Sequence, residues 1–427
     1  MLKLRRAIVI EAGPGAPGGS AMAAGDPGAG GEQQLTVELI PASGGGGVPV
    51  AEGSPRRAIA DVGLLGRSEV GDEVIVNVEA LDLRLGSGGF DIVHVNLTRG
   101  LEGRGGAGGE VMKLNYTSLQ HAVEPVDDEN LHLPLERPVA VLALHGQLAA
   151  VAWAFAEGAP GRRLGYVQTV GGALPGSHSR SVRMLRERGL LAGHLTAGAA
   201  FGGEGEAITT AGAIHHGLSS LGWDAAVCGP GPGIVGSGSP LGHGGLAALD
   251  SAHAALALGS STLLVARMSS ADERPRHRGI SHHTLTVLDL LSEPVTVALP
   301  AGMRSPVGAD LRAGLGAVFG EPAPGRPALE LEVERPVRIT RHDWRRAAVD
   351  LPAYAASGLP AQTMGRALTE DPLFFAAALA GGTALSELVD GAVGRRMSGD
   401  ELADGMEDEL ADELADELEG DDADEAA

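Results

Sequence analysis

Five apolar runs of strand length, each followed by a stretch of helix length, fill residues 138–291, and this alternation limits the fold more tightly than any other feature. PVAVLALHG (138–146) precedes QLAAVAWAFAEG, RLGYVQTV precedes SHSRSVRMLRERG, and HLTAGAAF precedes EAITTAGAIHHGLSSLG. WDAAVC then precedes GLAALDSAHAALALG, and STLLVARM precedes SHHTLTVLDLL. Neighbouring parallel strands need a long crossover between them, and a helix supplies it. The repeated unit predicts an α/β fold, a parallel sheet with helices on both faces in the Rossmann-like manner.

The N-terminal quarter has a different period. LTVELI (35–40), VIVNVE (74–79) and DIVHVNL (91–97) are short β-branched runs bounded by turn residues, which predicts a small β-rich barrel or sandwich ahead of the α/β region. The stretches 12–31 and 100–109 are Gly-rich and lack periodicity, as expected of loop expansions. The expected organisation is a β-rich domain over 1–125 with Gly-rich insertions, an α/β domain over 138–397 and a disordered acidic tail over 398–427. Lys113 reads as a surface or snorkelling lysine, with anion contact as the alternative.

The net charge of −23 is mostly a property of that tail, which carries fifteen acidic and no basic residues over 400–427. Its DELA repeats repel one another and resist compaction. Net negative charge and only 3% aromatic residues argue against a nucleic-acid partner. A single cysteine, Cys228, excludes an internal disulfide and suits a reducing compartment, so a cytoplasmic location is expected. Cys228 itself reads as a buried, inert thiol. AIVI near the start is too short for a signal-peptide core, and no uninterrupted apolar run reaches the roughly 18 residues of a membrane span.

In open parallel sheets, ligands sit beyond the carboxyl ends of the strands, so the loops after the five strands are where chemistry is expected. These loops carry His145-Gly146, then Gly171-Gly172 with His178, then Gly202-Gly203-Glu204, then GPGPGIVGSGSPLGHGG (229–245), and last ADERPRHRGISHH (271–283). Gly231, Gly233 and Gly236 match G-x-G-x-x-G, but Pro230 and Pro232 remove amide donors and no acidic residue ends the next strand. A close backbone approach to an anionic ligand fits better than a dinucleotide fold, and a Gly-rich turn without ligand fits the same residues.

In the last loop Ser281 is a suitable N-cap, which places His282 and His283 in the first turn of a helix, where imidazolium is disfavoured. Neutral imidazoles coordinate metals or accept protons, so His277 and His282 are candidate metal ligands or acid/base groups. Asp272 is a further candidate ligand, and His145 a candidate catalytic group across the crevice. Adjacent helical residues diverge by about 100°, which leaves at most one of His282 and His283 to share a metal with His277. Arg276 and Arg278 supply anion-binding geometry. His215-His216, inside a predicted helix, reads as packing and surface.

GEVMKLNYTSLQ (109–120), GPGIVGSGS (231–239), RHRGISHHTLT (276–286) and TMGR (363–366) together resemble the bacterial domain-of-unknown-function family thirty-eight sixty-six, over most of residues 55–375. The resemblance implies one shared architecture and brings no chemistry with it. HRGISHH is also similar to short strings in certain membrane-associated metal hydrolases. The residues themselves point to binding of a small anionic ligand, phosphorylated or nucleotide-like, at the carboxyl edge of the sheet, with metal- or histidine-assisted hydrolysis as the reaction and a divalent metal as cofactor. The alternative is a non-catalytic regulatory or assembly module that meets a protein partner through its β-rich domain.

Overall fold

The structure, a computed structural model, describes residues 3–14, 31–41, 54–83, 89–102, 109, 111–301, 338–389 and 391. Most of both Gly-rich stretches and the whole acidic tail lie outside the described residues.

Strands β1 (Leu4–Ala12), β2 (Glu32–Leu39), β3 (Arg56–Asp61), β4 (Glu73–Asn77) and β5 (Asp91–Asn96) close a barrel in the order β1-β2-β3-β5-β4. Two single-turn helices interrupt it, α1 (Val62–Leu65) and α2 (Glu79–Asp82). Alternation turns Ala7, Val9, Leu35, Val37, Val74 and Val76 inward, and a filling of Ala, Val and Leu suits so narrow a lumen. Closure depends on β3 pairing with β5 in parallel and β1 pairing with β4, and the result is a barrel, not a sandwich. The three strands read from the sequence are β2, β4 and β5. The other two carry paired arginines, Arg5-Arg6 and Arg56-Arg57, which mask their alternation.

A hairpin, β6 (Val111–Lys113) and β7 (His121–Val123), leads into the α/β region. Lys113 is buried there, and its Nζ donates to Glu206 at 2.6 Å and to the carbonyl of Ala200 at 2.8 Å. It pins the hairpin to the sheet edge and is neither a surface nor a snorkelling residue.

The large sheet contains β8 (Val139–Val141), β9 (Leu164–Thr169), β10 (Gly193–Ala197), β11 (Gly205–Ala207), β12 (Ala225–Pro230) and β13 (Thr262–Val265). Beyond the two-residue strands β14 (Met268–Ser269) and β15 (Gly279–Ile280), it continues with β16 (Thr296–Pro300) and β17 (Asp343–Ala347). The order is β11-β10-β9-β12-β8-β13-β16-β17, and every pairing is parallel. The five predicted strands are β8, β9, β10, β12 and β13. β11, β16 and β17 add to them.

Helices α3 (Leu148–Gly158) and α4 (Arg180–Glu187) bury their apolar residues with Ala140, Leu142 and Tyr166 on one face of the sheet. On the other face α5 (Thr210–Ser219), α6 (Ala247–Ala257) and α7 (His282–Leu290) pack with Val141, Cys228 and Leu264. β8 therefore sends its helix to one face, while its neighbours β12 and β13 send theirs to the other. Crossovers that part in this way set the loops after these three strands at the place where open parallel sheets bind ligands.

The chain ends its described course with α8 (Leu351–Ala356), the small hairpin β18 (Gln362–Thr363) and β19 (Arg366–Ala367), and α9 (Pro372–Val389). By length and composition α9 is apolar enough to cross a membrane, but it is mostly buried within the protein. It lies so close to α3 that a Cβ on Gly382 would stand 2.3 Å from the carbonyl oxygen of Val151.

Candidate functional site

The Gly-rich segment after β12 folds back as a hairpin. Gly236 pairs with His243 in an antiparallel bridge, and the amide of Gly244 donates to the carbonyl of Val235 at 2.9 Å. The three motif glycines allow this path: a Cβ on Gly231 would strike the Gln168 amide at 2.3 Å, Gly233 has φ +86°, and a Cβ on Gly236 would lie 3.0 Å from that of His243. The hairpin returns His243, a residue the sequence reading passed over, to the carboxyl edge of the sheet.

The segment after β13 supplies the rest. Ser281 caps α7 by accepting the His283 amide, and its Oγ lies 2.8 Å from Nδ1 of His277. His282 and His283 both join one ring cluster, with their own centroids 4.5 Å apart. His243 stacks on His283 with centroids 3.7 Å apart and meets His282 edge-on at 5.2 Å. His277 adds contacts of 4.7 Å to His282 and 5.0 Å to His283.

Coordinating atoms of His243, His282 and His283 all lie within 4.8 Å of one another, which makes these three a candidate metal centre. Among the described residues, both nitrogens of His243 and Nε2 of His282 are buried without a well-formed hydrogen bond, the Pro240 carbonyl being the one backbone group near enough to favour the charged form of His243. Gly245 keeps the space beside them open: a Cβ there would stand 3.1 Å from Nδ1 of His243 and 3.2 Å from Nδ1 of His283. Of the expected metal set, His282 alone falls in the trio. His277 is a neighbour, and Asp272 is occupied elsewhere: Arg274 grips its carboxylate with two contacts of 2.8 Å, Arg366 approaches to 3.5 Å and Arg267 to 3.7 Å.

Burial, and then the guanidinium of Arg267, push His243 down to about 4. Burial lowers His282 to about 4 as well, helped by His243 and Arg276. His277 and His283 are depressed further by burial and by Arg267. All four are neutral near pH 7, and burial is the largest cause for each. Arg267 is itself buried and lowered to about 10, and its Nη1 donates to Nδ1 of His283 at 2.8 Å.

The two predicted anion-binding arginines differ. Arg278 donates from Nε to the carbonyl of Asp272 at 2.9 Å and so holds the loop. Arg276 is partly buried with its Nε unpaired, has no hydrogen bond or ion pair to any described residue, and leans toward Gly238 of the hairpin.

His145 stands apart from the ring cluster. Its Nε2 is 2.8 Å from Ser179 Oγ, its Nδ1 is 3.3 Å from the Tyr166 hydroxyl, and burial lowers it to about 4. Cys228 is fully buried, which pushes its thiol up and leaves it unreactive. His215 and His216 both bind Asp128, each through Nδ1 at 2.8 Å. The signal for His243 was its place in PLGHGG, within a loop at the same sheet edge as the other histidines.

Residues 57–382 match the family described as "Protein of unknown function (DUF3866)", and the chain belongs to that family. No curated protein and no solved structure matches it.

Proposed function

We propose that this protein binds a divalent transition metal through His243, His282 and His283, takes a small phosphorylated or nucleotide-like anion beside it, and hydrolyses that anion. The unpaired nitrogens of His243 and His282 carry this reading. Buried polar atoms are nearly always paired, and three converging neutral imidazoles, two of them with unpaired nitrogens, have the form in which histidine coordinates metal. A bound metal would supply Lewis acidity toward an oxyanion.

The rest of the site supports an anionic substrate. The trio contains no carboxylate, so a cation held there keeps its charge, and Arg267 and Arg276 add to it. Arg276 would hold substrate oxygens with its unspent guanidinium, assisted by amides around Gly231, Gly233 and Gly236. Arg278 orders the loop. His277, in contact with two of the three ligands, is placed to pass a proton, and His145 lines the far side of the crevice. We take residues 1–125 and 138–397 as two folding units, and the single buried thiol favours a cytoplasmic location.

A second reading, a non-catalytic regulatory or assembly module, draws on the Arg267 contact, since a guanidinium on Nδ1 of His283 competes for the lone pair a metal needs. The cleft of about 280 Å³ on the barrel, lined by Glu11, Gln34, Thr36, Arg57 and Phe90 among others, would then be the surface for a protein partner.

Metal content after purification without an affinity tag decides between them. Stoichiometric metal that disappears in a His243→Ala, His282→Ala double variant supports the hydrolase. A native protein that is metal-free and takes up no zinc, manganese or iron(II) ends that reading. A thermal-shift screen of nucleotides and phosphorylated metabolites then tests the anion, because a ligand at 100 times its Kd stabilises by roughly 2.7 kcal/mol.

A further inference from the structure

TMGR (363–366) is part of the resemblance to the family, yet the metal reading gives it no role. Thr363 and Arg366 are accounted for: Thr363 is buried in the short hairpin, and Arg366 reaches both Asp272 and Asp371. Met364 is not. It occupies the first turn position between β18 and β19 with φ +46°, followed by Gly365 at φ +79°. Asn or Gly usually fills a position with that backbone, and a long side chain held there is a strained arrangement that asks for a functional reason. The turn leaves Met364 47% exposed, with its sulfur 3.8 Å from Nη2 of Arg267. The same guanidinium contacts His283 through Nη1, and its Nε has no partner.

We propose that Met364 is an oxidation site through which a hydroperoxide alters the histidine cluster. The sulfur lone pair attacks the hydroxyl oxygen of the peroxide, the S–O bond forms as the O–O bond breaks, and the other oxygen leaves and takes up the proton of the attacked hydroxyl, as an alcohol from an organic hydroperoxide or as water from hydrogen peroxide. The thioether is oxidised by two electrons to the sulfoxide and the peroxide is reduced. The sulfoxide oxygen is a strong acceptor placed beside a guanidinium with unused N–H capacity, whereas the thioether sulfur is a weak one. Arg267 turns toward the new oxygen and loosens its hold on Nδ1 of His283. This inference does not depend on a metal being bound.

Met112, on the β6–β7 hairpin, is an internal control, because it is 51% exposed and far from this turn in sequence. Trypsin releases the two methionines on separate peptides, each containing one methionine, ending at Lys113 and Arg366. The full-length protein is treated with hydrogen peroxide in stages. Sulfoxide is followed by mass spectrometry, and the state of His283 by deuterium uptake at its imidazole Cε1–H. Met364, about as exposed as Met112, is expected to oxidise in the native protein over the same stages as Met112. His283 uptake should rise severalfold after oxidation, and not in M364L protein given the same treatment. Should M364L fail to fold, Met364→Gln, which carries a permanent side-chain oxygen, is expected to raise His283 uptake without peroxide. Oxidation of Met364 only after unfolding, or unchanged His283 uptake after full conversion, overturns the proposal.

Discussion

Two histidine groups in the α/β region are built in opposite ways. On α5, His215 and His216 share the carboxylate of Asp128, Ser220 donates to the same group, and Nε2 of His215 accepts the His132 amide at 3.0 Å. At the crevice, neither nitrogen of His243 and not Nε2 of His282 makes a well-formed hydrogen bond to a described residue, and the charged neighbour of His283 is a cation. The first pair is used up in holding the segment before β8 onto the helix. The second group leaves unpaired buried nitrogens, each costing about 1–3 kcal/mol, and such a cost is kept where a ligand repays it. Adjacent histidines in sequence thus say little until their partners are known.

The contrast can be attacked first at its anions. Asp272 is buried among Arg267, Arg274 and Arg366, and Asp272→Ala would strand the buried Arg267, so urea unfolding should show a loss of about 3–5 kcal/mol. Asp128→Ala removes an acceptor from a less deeply buried site and should cost about 1–3 kcal/mol. Equal losses would mean that the two carboxylates do the same work.

Acid should separate the groups next. His243 and His282 are held at about 4 in the folded protein, below the value of about 6.5 in an unfolded chain, so the unfolded chain binds more protons as pH falls. Stability is complete above about pH 6.5 and declines below it, by on the order of 2–4 kcal/mol for the two together at about pH 5. Denaturant midpoints measured across that range should fall less steeply in a His243→Leu, His282→Leu variant, the remaining slope belonging to His145, His277 and His283, which burial also depresses, and an unchanged slope would exclude the pair.

Single replacements sharpen the same point. His215→Leu should lose about 1–3 kcal/mol, because Asp128 and the His132 amide lose a partner. His243→Leu removes two unpaired nitrogens at similar volume and should leave the metal-free protein as stable or more so in calorimetry. A comparable loss in both would erase the distinction.

The smallest difference is expected between the two arginines. Arg278→Ala should reduce stability by about 0.5–1.5 kcal/mol through its lost bond to the Asp272 carbonyl, and Arg276→Ala should leave the melting temperature unchanged. Anion affinity should fall by about 1.5–3 kcal/mol in Arg276→Ala, with Arg276→Lys recovering only part of it. Reduced stability with unchanged affinity in Arg276→Ala would return that side chain to a structural role.

The parallel sheet was legible because each unit carries its own signal. PVAVLALHG cannot place its run of buried residues except inside a sheet covered on both faces, and β8 is buried throughout. The strands that escaped notice were those whose signal is weak locally: β11 has three residues, and β1 and β3 each carry two consecutive arginines near their starts, which breaks the alternation. The crowding of His277, His282 and His283 with arginines in one loop also stood out, and so did its place after a strand.

From the sequence alone came the class of fold, the sheet edge that gathers the polar loops, and the neutral state expected of histidines at a helix start. Only the tertiary structure decided that the barrel closes through a parallel β3–β5 pair, that the Gly-rich hairpin carries His243 between His282 and His283, and that Asp272 belongs to three arginines and not to the imidazoles. The physical reason is range. Side-chain period and capping are settled within a few residues, whereas the ring cluster joins His243 to residues about forty positions on and Arg366 reaches Asp272 across 94 positions, contacts that only the strand order brings within a few ångströms.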